Sequence, residues 1–298
     1  MGNKDSKLKG QMVSGMFWKM AERVVAQGVS FVVSLVLARI LMPHDYGVVA
    51  IIMVFIAIAD VLLSSGLSSG LIQKKEVSEL EFSSIFYCNL FLGIILYIIL
   101  FIAAPFMAHI YKLPALTAAI RVFALRLPIS AFQAIQVAYV SRQMAFKRFF
   151  FSTVGGTIVS AGVGIIMALQ GYGAWALIAQ YLTMTIMDTA ILFLTIHWHP
   201  TMQFSWNAAS PIIKYSWKVM ATDLSGTIFN NLGNFIVGLR YNTSNLAYYN
   251  KGFQLPTMVR SNIYMTLISV LFPAMSKVGD SPSEVNRIVS KSIRVLSY

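Results

Sequence analysis

Residues 16–47 read MFWKMAERVVAQGVSFVVSLVLARILMPHDYG. The stretch is a long apolar helix that carries a polar stripe. Lys19, Arg23, Gln27, Ser30 and Ser34 recur at steps of three and four, with Glu22 beside Arg23, and that spacing gathers them on one helical face. The remaining positions are mostly Val, Leu, Phe, Ile and Ala, which suit hydrocarbon. A charge at the centre of a lipid-facing span costs about 3 kcal/mol on insertion scales. The stripe is therefore expected to face other helices or water inside the membrane. The run stops at Arg39-Ile40-Leu41-Met42-Pro43. Pro43 fits the first turn of a second helix, where its missing N–H leaves nothing unpaired.

Composition agrees with a membrane chain. Of 298 residues, 57% are hydrophobic and 11% charged, with mean hydropathy +0.69; a soluble domain carries about 25% charged residues. Long apolar runs point to an all-α polytopic bundle rather than a barrel. The net charge is +12, but its positive residues lie mostly between spans, where topology explains them. With no RNA-binding motif or basic–aromatic platform, no nucleic-acid partner is expected. Cys88, the single cysteine, reads as a small buried hydrophobe. The helix after the basic start MGNKDSKLKG is too long and too charged for a cleaved signal peptide. MGNKDS fits a loose myristoylation pattern, read as coincidence in a chain that already spans the bilayer.

Eight spans are predicted, at 14–41, 46–72, 83–109, 118–140, 149–170, 173–197, 215–241 and 247–275, each near the ~20 residues a bilayer needs. Gly66 with Gly70, and Gly156, Ser160 and Gly164, give small-xxx-small spacing expected of packing seams. One set of connections carries Lys4, Lys7 and Lys9; Lys74 and Lys75; Arg142, Lys147 and Arg148; Lys214 and Lys218; and Lys277, Arg287, Lys291 and Arg294. The alternate set holds only Arg39, Lys112, Arg240 and Lys251. The positive-inside rule then places the N-terminus in the cytoplasm. Trp18, Trp198, Trp206 and Trp217 mark the inner interface; Tyr46, Tyr111, Tyr172, Trp175 and Tyr241 mark the outer one. The segment 200–214, PTMQFSWNAASPIIK, is polar and interrupted by Pro200 and Pro211, and reads as a cytoplasmic linker.

A repeat is also visible. Span 1 ends at Arg39 and turns tightly to Tyr46-Gly47; span 7 ends at Asn234-Phe-Ile-Val-Gly-Leu-Arg240 and turns tightly to Ala247-Tyr248-Tyr249. Both begin on the same side and both carry a polar stripe. This predicts parallel halves related by an axis along the membrane normal. The chain then divides into a six-helix lobe at 1–199, the linker at 200–214, and the start of a second lobe at 215–298. That second part holds two spans and an amphipathic tail, EVNRIVSKSIRVLSY at 284–298, resembling the start of a ninth span. A truncated transporter is expected, with a complete eight-span protein as the alternative.

Three motifs in order point to a family. Ala38-Arg39-Ile40-Leu41-Met42-Pro43-His44-Asp45-Tyr46-Gly47 resembles the first turn of Wzx-type polysaccharide and O-antigen flippases, members of the multidrug/oligosaccharidyl-lipid/polysaccharide exporter superfamily. Ala247-Tyr248-Tyr249-Asn250-Lys251-Gly252-Phe253-Gln254-Leu255-Pro256 resembles the start of their eighth span, with Ala247 in place of Gly and a shorter gap before the proline. Val270-Leu271-Phe272-Pro273-Ala274-Met275-Ser276 resembles its end. The resemblance implies twelve to fourteen spans in two lobes, a central cavity and alternating access in a bacterial inner membrane. It implies a cargo of undecaprenyl-diphosphate-linked oligosaccharide for O-antigen, capsule or exopolysaccharide. Membrane lipids, a polysaccharide polymerase and glycosyltransferases are the implied neighbours.

Such a cargo needs a wet, cationic cavity. Arginine suits a diphosphate because its planar fork donates two hydrogen bonds and stays charged. The candidates are Arg23, Arg126 and Arg260. Asn230 or Asn231 and Asn234 continue a stripe with Asp223 and Thr227, whose amides and hydroxyls suit sugar hydroxyls or helix–helix bonds. Glu22, Asp60 and Asp223 are candidates for coupling or ion pairing, with pairing favoured for Asp60. Asp188 is expected only near water. His197-Trp198-His199 lacks a third ligand, so no metal is expected, nor any cofactor. No Ser–His–Asp order, phosphate loop, paired catalytic carboxylates or HExxH is found, so the chain is not expected to be an enzyme. A multidrug cation antiporter of the same fold would concentrate acids rather than arginines; an inactive membrane fragment is the other alternative.

Overall fold

The structure is a computed structural model that describes residues 2–74, 77–143, 145–196, 198–254, 256 and 257. It forms two compact units, Met1–Ala247 and Tyr248–Tyr298. In the first, α1 (Gly2–Ile40) leads into α2 (Pro43–Val61), a π-helical turn at Leu62–Leu67, and α3 (Ser68–Gln73). Then follow α4 (Glu79–Ile110), α5 (Ala115–Ala124), α6 (Arg126–Arg142), α7 (Phe146–Leu169), α8 (Ala174–Thr195) and α9 (Trp206–Arg240). Residues 243–247 are helical. In the second unit residues 248–254 are helical, and the Tyr249 and Phe253 rings lie 5.5 Å apart.

Among the described residues, six helices are long and apolar enough to cross a membrane: Phe17–Ile40, Pro43–Ile72, Glu79–Ile110, Ala115–Arg142, Phe146–Leu169 and Ala174–Thr195. They coincide with the first six predicted spans, and the chain is an all-α polytopic membrane protein. α9 covers the seventh, but Asp223, Asn230, Asn231 and Asn234 make it less apolar than the others. Most of the eighth, including Arg260, lies outside the described residues, as do the 270–276 motif and the 284–298 tail.

The predicted linker differs from what is observed. Only residues 200–205 are non-helical; from Trp206 the chain is already α9. Pro211 lies near the start of that helix, where it withholds one hydrogen bond, from the Asn207 carbonyl, without breaking the remainder. The short connection is pinned to the start of α4. Thr201 N donates to Ser83 Oγ at 3.0 Å, Ser205 N to Ser84 Oγ at 2.9 Å, and the Tyr87 hydroxyl to the Thr201 carbonyl at 3.2 Å.

Prolines place two of the arginines. Pro105, inside α4, cannot donate to the Phe101 carbonyl. Arg121 Nε donates to it instead at 3.3 Å, and the guanidinium lies 4.2 Å from the Phe101 ring centroid. Pro128 similarly frees the Ala124 carbonyl, and the span breaks there into α5 and α6, as prolines require. Arg126 begins the second piece.

Glycine seams set the packing. Gly156 lies against Asp188 and Met184 of α8, and Gly164 lies against Gln180. Gly66 faces Met220 and Gly70 faces Ser216 and Ile212, so the small-residue face of the second span receives α9. Residues predicted for opposite interfaces gather at opposite ends of the bundle. At one end Trp198 stacks on Tyr139 at 5.8 Å and touches Phe82 at 5.6 Å, and Arg142 donates to the Leu71 carbonyl at 2.7 Å, closing the end of α3. At the other, His44, Tyr111 and Tyr241 line one cavity.

Candidate functional site

α1 has three faces. Glu22, Val33 and Leu37 are buried on the side that packs chiefly on α7. Phe17, Met20, Val24, Phe31 and Leu35 are exposed on the opposite side, Met20 and Val24 at 66% and 68%. Arg23 and Ser30, exposed, and Gln27, half-buried, lie between them. At 100° per residue the stripe borders both the packed face and the bare apolar one.

Glu22 is 9% exposed and fully engaged. Lys19 Nζ lies 2.7 Å from its Oε2 and Thr153 Oγ1 donates to its Oε1 at 3.3 Å. The Lys19 ammonium also sits 4.9 Å from the Phe149 ring centroid. Asp188 of α8 joins this cluster, within electrostatic reach of Glu22, with Ser152 and Gln133 side chains beside its carboxylate. Arg23 has no ion pair among the described residues.

A second charged site lies where α2 meets α6. Arg126 Nη2 is 3.0 Å from Asp60 Oδ2, the two side chains 24% and 26% exposed. The π-helical turn at Leu62–Leu67 follows directly, and Ser64 Oγ closes back on the Asp60 carbonyl at 2.7 Å. Such turns occur inside α-helices, frequently at functional sites. Tyr181 of α8 stands within reach of the Arg126 charge.

The amide stripe of α9 is divided. Asp223 and Asn230 are exposed, while Asn231 and Asn234 are half-buried. Asn231 Nδ2 bonds its own helix at the Thr227 carbonyl, 2.9 Å away. The structure thus brings together Arg126 with Asp60, and Glu22 with Lys19 and Thr153. It keeps Arg23 on its own flank. Among the described residues no group of three His, Cys, Asp or Glu is placed to hold a metal.

The turn after α1 explains its motif residue by residue. Pro43 opens α2. Asp45 Oδ2 accepts from Met42 N at 3.0 Å, capping that helix, and Asp45 Oδ1 accepts from Ala174 N at 3.0 Å, capping α8. One carboxylate therefore answers two positive helix ends. Gly173, at φ 55°, starts α8 with no side chain in the way: a Cβ there would lie 2.7 Å from Asp45 Oδ1. Gly47 meets the backbone of Thr243, where a Cβ would overlap the carbonyl oxygen and lie 2.8 Å from Cα.

A family model described as polysaccharide biosynthesis protein matches residues 36–298. The chain belongs to that family. It is 24% identical over 285 residues to the lipopolysaccharide biosynthesis protein WzxC of Escherichia coli (strain K12), covering 93% of this chain and 57% of that one. It is 21% identical over 261 residues to the succinoglycan biosynthesis transport protein ExoT of Rhizobium meliloti (strain 1021), covering 88% and 53%. The teichuronic acid biosynthesis protein TuaB of Bacillus subtilis (strain 168) is 20% identical over 224 residues, covering 74% and 46%. The chain spans about half the length of the curated relatives it matches. No solved structure matches it.

Sequence reasoning passed over three of the residues that organise this family member. Asp188 was expected only near water, yet it belongs to the Glu22 cluster; no periodicity in α8 marks it. Asp45 had a legible signal, an acid in the first turn after a proline, but its second partner is 129 residues away. Arg121 is tied to a carbonyl 20 residues back, and only the position of Pro105 could have shown that the carbonyl was free.

Proposed function

We propose that this chain is part of a flippase that moves undecaprenyl-diphosphate-linked oligosaccharide across the bacterial inner membrane, for O-antigen, capsule or exopolysaccharide, with its N-terminus in the cytoplasm. The observation that carries the reading is the family match over 36–298, on a helical membrane scaffold whose α1 and α9 keep polar flanks beside their packed faces. In this reading 1–199 forms one lobe, 200–214 leads out of it, and 215–298 begins a second. Arg23 and Arg260 meet the diphosphate. Arg126 does so only on leaving Asp60. Asn230 and Asn234 face the glycan, and rocking of the lobes switches access. Glu22 and Asp60 serve as counter-ions, and Asp223, without an ion pair among the described residues, takes a coupling proton or a partner on another helix. A polysaccharide polymerase and glycosyltransferases act on either side of the step. The chain transports rather than catalyses, consistent with relatives described as transport and biosynthesis proteins.

The rival cation antiporter needs acids open to a cationic drug. Glu22 and Asp60 are instead paired with Lys19 and Arg126. The test is complementation of a strain lacking its own flippase. Surface polysaccharide restored by the intact gene, lost on Arg23→Ala or Arg260→Ala and retained on Lys214→Ala, supports the reading. Drug efflux with no change in polysaccharide overturns it.

A further inference from the structure

At the end of the bundle remote from the Trp198 cluster, a cavity of about 240 Å³ opens between the two equivalent turns. It is lined by His44 from the first turn, Tyr111 and Leu113 from the α4–α5 connection, and Tyr241, Asn242 and Thr243 from the turn after α9. Ile51, 1% exposed, lies at its base. We propose that this cavity is a saccharide subsite that takes one pyranose ring of a glycan at the outer face.

The inference rests on the flippase reading for the source of the glycan, and on the cavity's own chemistry for the class of ligand. Ligand pockets combine apolar and aromatic walls with a few convergent polar groups, and drug-sized ones start near ~300 Å³; this one is smaller, the scale of a single sugar ring. Tyr111 and Tyr241 put two phenol rings in its wall, the aromatic surface on which the C–H face of a pyranose packs. Imidazole, amide, hydroxyl and phenol groups supply both donors and acceptors for its hydroxyls. Tyr111 is held in place, its ring 6.5 Å from that of Phe55 in an edge-on contact. Burial pushes its phenol up to about 12, so it stays a neutral donor. Asn242 uses its side-chain oxygen to cap the next helix, accepting from Asn245 N at 2.8 Å. Its amide N–H₂ is left for a ligand.

The site is assembled by contact rather than by one element. Three of its five polar lining residues are 241–243, and these are held in position by Gly47 against the Thr243 backbone. Gly47 does not itself line the cavity. A methyl at 47 would thus separate the walls without altering a single lining side chain, which gives the proposal a test independent of the lining.

The experiment uses the full chain in membranes with Cys88→Ala, which removes the one native cysteine, and Leu113→Cys as reporter. Labelling by a membrane-impermeant maleimide is timed with glucose, galactose or rhamnose at about 100 mM, far above a millimolar Kd, and with acyclic mannitol as the control. At least one pyranose is expected to slow labelling about threefold or more. Mannitol is expected to have no effect, and Tyr111→Phe to weaken the protection. Asn242→Ala and Gly47→Ala are each expected to abolish it while the thiol remains reactive. Membranes from cells that make the lipid-linked glycan should show protection without added sugar; membranes from cells lacking its first glycosyltransferase should not. Equal labelling with every pyranose, slowing by mannitol to the same degree, or protection that survives both Asn242→Ala and Gly47→Ala overturns the subsite. Deletion of the gene with no loss of surface polysaccharide would count against the flippase reading instead, and leaves the labelling result standing.

Discussion

α1 and α9 are built alike and used differently. Each is a long helix with a polar stripe, ending at Ile40 and Arg240, and each is followed by two non-helical residues before the next helix starts at 43 and 243. The register is the same at an offset of 200 residues. Yet α1 leans chiefly on α7, whereas α9 lies along α2, the π-helical turn, α3 and α4. The stripes differ in chemistry too: Lys19, Glu22 and Arg23 on one, Asn230, Asn231 and Asn234 on the other. One local plan thus carries mostly charge at the start of its first copy and mostly amides toward the end of its second, with Asp223 the acid of the second and Gln27 the amide of the first. In the flippase reading this divides the cargo, with the anionic headgroup facing α1 and the glycan facing α9.

The strongest way to break the comparison is at the turns. Gly47→Ala should cost about 3 kcal/mol, the upper end for overpacking, because the atom it meets is backbone and cannot rotate away. The corresponding position 200 residues on is Ala247, and Ala247→Gly should cost no more than about 1 kcal/mol, the ordinary penalty for glycine in a helix. Thermal unfolding in detergent measures both; equal effects would mean that the turns are not packed as described.

Next in size is the Asp60–Arg126 pair, which ties α2 to α6. Asp60→Ala or Arg126→Ala alone leaves a charge without its partner in the membrane and should cost about 3 kcal/mol, the low end for a pair that is a quarter exposed. Replacing both with neutral amides should cost clearly less. Similar losses for single and double replacements would show the pair to be unimportant for folding.

How far the sequence could be read follows from the range of each interaction. The first six spans were legible because each is written in a long local apolar run. The glycine spacing at Gly66 and Gly70 marked a seam, though not that α9 fills it. The linker was misjudged at Trp206 because Pro211 looked like a break, while a helix loses only one bond to a proline near its start. Asp188 and Asp45 escaped notice for a different reason. Their partners lie on helices distant in sequence, and a single carboxylate carries no signal of which helix end or neighbouring acid it will meet.

A smaller effect separates fold from function within the first turn. Asp45→Ala should cost about 1–2 kcal/mol for the loss of capping on two helices, and Asp45→Asn less, since an amide oxygen can keep one of the two bonds. By contrast Arg23→Ala should leave stability within about 0.5 kcal/mol, as an exposed position does, while export in the complementation assay falls. Loss of both stability and export at Arg23 would make it a packing residue.

In the flippase reading the α1 stripe faces water shared with the second lobe, and not lipid. Single cysteines at Arg23, Gln27 and Ser30, and at Met20, Val24 and Phe31, in the Cys88→Ala chain, test it most directly when titrated with a small hydrophilic thiol reagent in native membranes. Fast reaction is expected along the first set and slow reaction along the second, a helical period with its peak on the polar flank. Equal rates, or a peak on Met20, Val24 and Phe31, would contradict it.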